Sequence, residues 1–217
     1  MKKMTLGTTG MQVPVIAVGC MRIGGMEPKE RATFLGGCLE NGLNFFDHAD
    51  IYGKGECEHL FAAAQKEIGA KREDMILQSK CGIRPGRYDF SKDYILSSVD
   101  GILKRLETDY LDVLLLHRPD ALAEPEEMLH QSGKVRHFGV SNHRPYQIAL
   151  LQKYVKQPLC VNQMQFSIPF STMVAAGVEA NMLTEGAVDR DGGVLDYCRL
   201  HDITIQAWSP FQYGFFE

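Results

Sequence analysis

The sequence predicts an α/β fold, a TIM-type (β/α)8 barrel left incomplete at about seven βα units. Three observations point there. Apolar runs of strand length alternate with segments of helical period, the signature of parallel βαβ units. Three of those runs end in an ionisable side chain, as happens where strand ends converge on the mouth of a parallel barrel. No shift of composition, low-complexity tract or long linker divides residues 1–217, so one domain is expected.

In chain order, a short N-terminal stretch turns at Thr8-Thr9-Gly10 and leads to the first strand, 15–19. The others are expected at 44–47, 75–80, 111–117, 136–141, 160–165 and 204–208. Pro28 suits the first turn of the helix after strand one, and Asn41-Gly42 suits its end. Ser91 is expected to cap the helix after strand three, in which Ile95, Val99, Ile102, Leu103 and Leu106 share one face. After strand four the pattern leaves about two helical turns, from Pro125 or Glu126 to Ser132. A barrel of this type needs an eighth strand, and the sequence reads as C-terminally truncated before it.

Composition narrows function. Lys and Arg total 23 against 27 acidic residues, and they form no basic stripe, which argues against nucleic-acid binding. No apolar run approaches the ~20 residues of a membrane span, and the N-terminus lacks a secretory core, so a cytoplasmic protein is expected. The six cysteines lie far apart without a C-x-x-C pair, and free thiols are expected.

The chemistry gathers at strand ends. Asp47, Lys80 and His117 close strands two, three and four. Strand alternation puts Ile76, Gln78 and Lys80 on one face and Met75, Leu77 and Ser79 on the other. The helix-covered face is the apolar one, so Lys80 should point inward, and Val113, Leu115 and His117 group in the same way. Tyr52 lies in the loop beyond Asp47, where its hydroxyl can swing over the mouth. A neighbouring ammonium strengthens a phenol as proton donor, a carboxylate holds that ammonium charged, and an imidazole can donate to a carbonyl oxygen as charge grows there.

Gly42-Leu-Asn-Phe-Phe-Asp-His-Ala-Asp-Ile-Tyr-Gly53 resembles the aldo-keto reductase motif around the catalytic Asp and Tyr, in wording similar to the bacterial YdhF-like branch. Gln78-Ser-Lys80, Leu115-Leu-His-Arg-Pro-Asp120, Gly133-Lys-Val-Arg-His-Phe-Gly-Val-Ser-Asn142, Val161-Asn-Gln163 and Ala207-Trp-Ser-Pro210 follow in family order. The resemblance implies reduction of a small-molecule aldehyde or ketone by a nicotinamide cofactor, NADP(H) ahead of NAD(H). It makes Tyr52 the general acid, tuned by Lys80 and Asp47, with His117 orienting the carbonyl. Ser141, Asn142 and Gln163 match the positions that hold the carboxamide, and Trp208 the ring that stacks on the nicotinamide. Ser209 and Pro210 match the start of the pyrophosphate loop, and Met21 and Arg22 correspond to contacts beyond strand one. The family grips its cofactor without a Gly-rich Rossmann turn, and none occurs here. The basic segment that grips the adenosine phosphate would follow the eighth strand. The loops 83–90 and 166–182 carry no readable substrate pattern, and the oligomeric state is silent.

Two rivals stand beside this reading. Asp47, His48, Asp50 and His117 could ligate a metal ion in a barrel hydrolase, although adjacent Asp47 and His48 point to opposite faces and no H-x-H pair is present. A catalytically silent nucleotide-binding fragment would keep the same residues.

Overall fold

A computed structural model of the chain describes residues 1–122 and 133–211. It opens with an antiparallel hairpin, β1 (Lys3–Thr5) and β2 (Gln12–Pro14). The main sheet then begins with β3 (Val18–Gly19), followed by α1 (Pro28–Glu40), β4 (Phe45–Asp47), α2 (Glu56–Glu67) and β5 (Ile76–Cys81). A second small hairpin, β6 (Ile83–Arg84) and β7 (Arg87–Tyr88), precedes α3 (Lys92–Leu106). Then come β8 (Leu111–Leu116), β9 (Val135–Ser141), α4 (Pro145–Tyr154), β10 (Leu159–Gln165), α5 (Thr172–Val178), α6 (Val194–Leu200) and β11 (Thr204–Trp208).

Seven strands, each overlapping one of the expected runs, lie in one sheet, ordered β11-β10-β9-β8-β5-β4-β3, and every neighbouring pair is parallel. The sheet curls as an incomplete (β/α)8 barrel does, far enough for Gln206 on β11 to reach Gln78 on β5. Its outer face packs under the helices in one large core. There Phe46, Leu77, Leu114 and Leu116 meet Leu35 of α1, Phe61 of α2, and Ile95, Val99, Ile102, Leu103 and Leu106 of α3. The predicted face of α3 is therefore the buried one.

The inner face is filled in layers. Phe45, Val113, Leu115, Cys160 and Val161 form an apolar floor closed from below by Leu6 and Val13 of the first hairpin. That hairpin corrects the expectation for strand one: 15–19 is not one strand. Gln12–Pro14 pairs backwards with Lys3–Thr5, Val15 and Ile16 bend out exposed, and only Val18–Gly19 joins the sheet. The predicted turn exists, with Thr9 N–H donating to Leu6 O at 3.1 Å, but it serves a plug that single-strand periodicity does not reveal.

Smaller differences have local causes. Pro28 does begin α1, and Gly42 takes φ of 71° just past its end. Ser91 occupies the N-cap position of α3 without a capping bond, and its hydroxyl donates to Asp89 Oδ1 at 2.8 Å. The helix expected between 125 and 132 lies outside the described residues. Among the described residues no helix is long and apolar enough to cross a membrane, and all six cysteines are buried and free.

The plug is seated at Gly7, whose N–H donates to Thr204 Oγ1 at 2.8 Å. Its φ is 49°, and a Cβ there would stand 2.5 Å from Cys160 O. Gly7→Ala combines left-handed strain with a backbone clash. It is expected to lower unfolding free energy by about 2 kcal/mol or more in urea denaturation. A change within about 0.5 kcal/mol, the range of an ordinary surface substitution, would contradict the seating.

Candidate active site

Parallel pairing in register brings the C-terminal ends of the strands together: Gly19 stands beside Asp47, Asp47 beside Gln78, Lys80 beside Leu115, and Ser141 beside Gln163. The alternation of β5 turns Gln78 and Lys80 inward while Leu77 joins the helix-side core, as expected.

Lys80 is fully enclosed. Its ammonium donates to Asp47 Oδ2 at 2.8 Å, to the His48 carbonyl at 2.7 Å and to the Tyr52 hydroxyl oxygen at 3.1 Å. Three donors thereby meet three acceptors. Burial alone would discharge this lysine, but the Asp47 carboxylate and the Tyr52 oxygen more than offset it, and the pKa rises above the ordinary lysine value.

Because the ammonium can only donate, the Tyr52 oxygen accepts. Its own hydrogen has no acceptor among the described residues. Burial raises the Tyr52 pKa, Lys80 opposes the rise, and the net shift is upward. Tyr52 is held as a phenol. The His117 ring stands nearly perpendicular to the Tyr52 ring, with centroids 6.2 Å apart. Burial, followed by the Lys80 charge, lowers its pKa to about 3. His117 is therefore a neutral imidazole, with Nδ1 enclosed and unpartnered.

Beneath these residues lies a layer of amides, Gln78, Gln163 and Gln206, of which the sequence singled out Gln163 alone as a site residue. Gln78 Nε2 and Gln163 Nε2 donate to Asp47 Oδ1 at 2.6 and 3.2 Å. Both also donate to Gln206 Oε1, at 2.9 and 3.1 Å. Period-two counting along β5 and β11 places Gln78 and Gln206 inward, and a polar residue at an inward position was the available signal.

The predicted nicotinamide contacts form a second group beside the first. Asn142 takes φ of 62°, and its Nδ2 donates to Ser141 Oγ at 2.8 Å and to His117 O at 3.3 Å. Trp208 Nε1 donates to Asn142 Oδ1 at 2.9 Å, and Ser141 Oγ donates to Gln163 O at 3.0 Å. Asn162, also missed, braces this turn through its Nδ2 bond to His143 O at 2.9 Å. Trp208 and Asn142 line a cleft of about 210 Å³ with Arg118, Phe170 and Met173. Ser209 follows Trp208 with φ of 50°, and Pro210 comes next. Met21 and Arg22 lie exposed on the loop leaving β3.

Two features bear on the metal alternative. His48 faces away from Asp47, packed edge-on against Phe61 at 4.6 Å between centroids. Among the described residues no group of three or more His, Cys, Asp or Glu side chains could hold a metal ion. A larger groove of about 1010 Å³ lies by the C-terminal ends of α1 and α2. It contains none of the candidate residues, whereas the smaller cleft is lined by Asn142 and Trp208.

The aldo/keto reductase family profile matches residues 15–217. The uncharacterized oxidoreductase YcsN of Bacillus subtilis is 40% identical over 193 residues, covering 82% of this chain and 59% of its own length. The oxidoreductase YdhF of Escherichia coli is 39% identical over 182 residues, covering 76% of this chain and 61% of its own. The chain thus spans about 60% of the length of these two relatives. Among solved structures, the thermostable aldo-keto reductase Tm1743, crystallised with the inhibitor epalrestat, superposes with a TM-score of 0.79 at 28% identity. That match covers 98% of this chain and 74% of the other.

The site carries a pH signature. Burial lowers His48 from 6.5 to about 3, and neither ring nitrogen has a partner. Between those values the unfolded chain binds a proton on His48 that the folded chain refuses, so the contribution of this residue to stability falls as pH drops from 6.5 toward 3. His117 and His143, lowered to about 3 and 4, act in the same sense. His48→Leu breaks no hydrogen bond and removes one of these protons. It is expected to flatten the acid slope by roughly 1 kcal/mol per pH unit between about pH 6 and pH 4, read from urea denaturation. An unchanged slope would contradict the burial of a neutral imidazole.

Proposed function

The chain belongs to the aldo/keto reductase family, and on that premise we propose that it reduces an aldehyde or ketone to the alcohol with a nicotinamide cofactor, NADP(H) before NAD(H). The observation that carries the proposal is the saturated Lys80 ammonium, whose third hydrogen bond ends on the Tyr52 oxygen at 3.1 Å. It leaves the phenolic hydrogen as the one available for transfer.

The residues around Trp208 fit the reactive end of such a cofactor. A carboxamide offers one acceptor and two donors, and Ser141, Asn142 and Gln163 present hydroxyl and amide groups at adjacent strand ends beside an indole ring. These residues would hold it, with Ser209, Pro210, Met21 and Arg22 flanking. When bound, the nicotinamide supplies hydride to the carbonyl carbon.

The chain's own groups supply the rest. Tyr52 Oη donates its proton to the carbonyl oxygen, and the phenolate left behind is stabilised by the Lys80 ammonium. Asp47 keeps Lys80 charged and in place, while Gln78 and Gln163 fix the carboxylate. His117, neutral and with Nδ1 enclosed, presents Nε2 to the carbonyl oxygen and orients it as negative charge develops. Water then reprotonates the phenolate. The proposed substrate is a small soluble carbonyl compound, with no nucleic-acid or membrane partner, in the cytoplasm.

Tyr52→Phe removes the proton donor and leaves the ring. In assays of NADPH oxidation with an aldehyde panel it is expected to lower kcat by about 100-fold or more. The cofactor Kd, read by quenching of Trp208, should change by less than about twofold. Equal losses in rate and affinity would contradict the assignment. Cofactor binding without aldehyde-dependent oxidation in the unmodified protein would favour the silent nucleotide-binding reading.

A further inference from the structure

The turn that carries Tyr52 is held in an unfavourable backbone conformation. Gly53, Lys54 and Gly55 follow it with φ of 57°, 58° and 91°. The two glycines take such angles readily, while Lys54 is the strained member and persists there only where its surroundings over-determine it.

The surroundings are specific. Gly55 lies against the Arg105 side chain of α3, and a Cβ there would stand 3.0 Å from both Arg105 Cδ and Nε. On the other side, Gly101, one turn earlier in α3, leaves room for the same guanidinium; a Cβ there would stand 2.9 Å from Arg105 Nη1. Arg105 is anchored in turn. Its Nε donates to Glu58 Oε2 at 2.7 Å, and Glu58, in the first turn of α2, is fully buried. The second oxygen of Glu58 accepts from Ser79 Oγ at 2.7 Å. Ser79 immediately precedes Lys80 and points to the opposite face of β5.

A closed loop of contacts results. In front of the sheet Lys80 reaches Tyr52 directly. Behind it, Ser79, Glu58, Arg105 and Gly55 connect the same two residues through the helices. A buried carboxylate and a mostly buried guanidinium are a poor choice for mere packing, since apolar side chains of similar volume stabilise as well or better.

We infer that Glu58 and Arg105 are positioning residues, which hold the Tyr52 turn so that the phenol rests on Lys80. The kinetic part of this inference rests on the proposed carbonyl reduction. The geometric part does not.

The test uses tyrosine labelled with ¹³C at Cζ, with the Tyr52 signal assigned by its loss in Tyr52→Phe. Three variants are compared with the unmodified protein: Glu58→Gln, Gly55→Ala, and Glu58→Gln with Arg105→Met. The inference predicts a displaced Tyr52 resonance in every folded variant. It also predicts kcat lowered at least about tenfold, with the NADPH Kd changed less than about twofold. The double variant removes the unpaired charge, so it should regain thermal stability without regaining the resonance position or kcat. A Tyr52 resonance unmoved in Gly55→Ala and in the double variant would overturn the inference. So would recovery of stability, resonance and rate together in the double variant, which would reduce the pair to a structural element. If the unmodified protein oxidises no NADPH with any carbonyl compound, the proposed function fails, and the resonance alone still decides the positioning.

Discussion

A lysine ammonium sealed inside the sheet is the constraint on which the site depends. Lys80 has no exposed surface and can remain charged only if each of its three hydrogens finds an acceptor. Those acceptors come from three different places: the side chain of Asp47 on β4, the backbone of His48 beyond it, and Tyr52 in the following loop. Meeting them at once requires β4 and β5 to be parallel neighbours in register and the 48–52 loop to fold back over their ends. Removing one partner of such a pair leaves a buried charge uncompensated, a penalty of about 3–5 kcal/mol. The arrangement that would serve proton transfer is thus also a condition of folding.

The rest of the inner face is graded around that charge. Leu6 and Val13 of the first hairpin, with Phe45, Val113 and Val161, make an apolar floor. Above it, Gln78, Gln163 and Gln206 exchange hydrogen bonds with one another and with Asp47. The amides satisfy the second carboxylate oxygen and separate the charge from the apolar layer, so no polar atom of Asp47 is stranded. Polarity rises from the plug to the mouth, and the proposed chemistry sits at the polar end.

Much of this was legible in the sequence, and the limits have physical causes. Strand-end Asp47, Lys80 and His117 could be placed because period-two alternation and parallel pairing leave little freedom, and the fold class followed from the same pattern. The hairpin was not legible: 15–19 looks like one apolar run, and the seat that leaves no room for a Cβ on Gly7 is made by Cys160, 153 residues away in the chain. Gln163 was singled out, but its partners Gln78 and Gln206 escaped because a single inward glutamine on β5 or β11 has no meaning until the sheet curls and brings the two together. Ser91 shows that a correct helix start does not guarantee its cap, for the residue stands at the N-cap position and makes no capping bond. The aldo-keto reductase resemblance, drawn from six short motifs, agrees with the family match over residues 15–217.

The central claim is that the Lys80 charge makes the Tyr52 phenol an acid for carbonyl reduction. It is tested most directly by the steady-state rate of aldehyde-dependent NADPH oxidation in folded Lys80→Met, beside quenching of Trp208 by NADPH. Turnover is expected to fall by about 100-fold or more while cofactor quenching persists. Turnover within about threefold of the unmodified protein would contradict it, because a phenol without its ammonium partner would then be acid enough on its own.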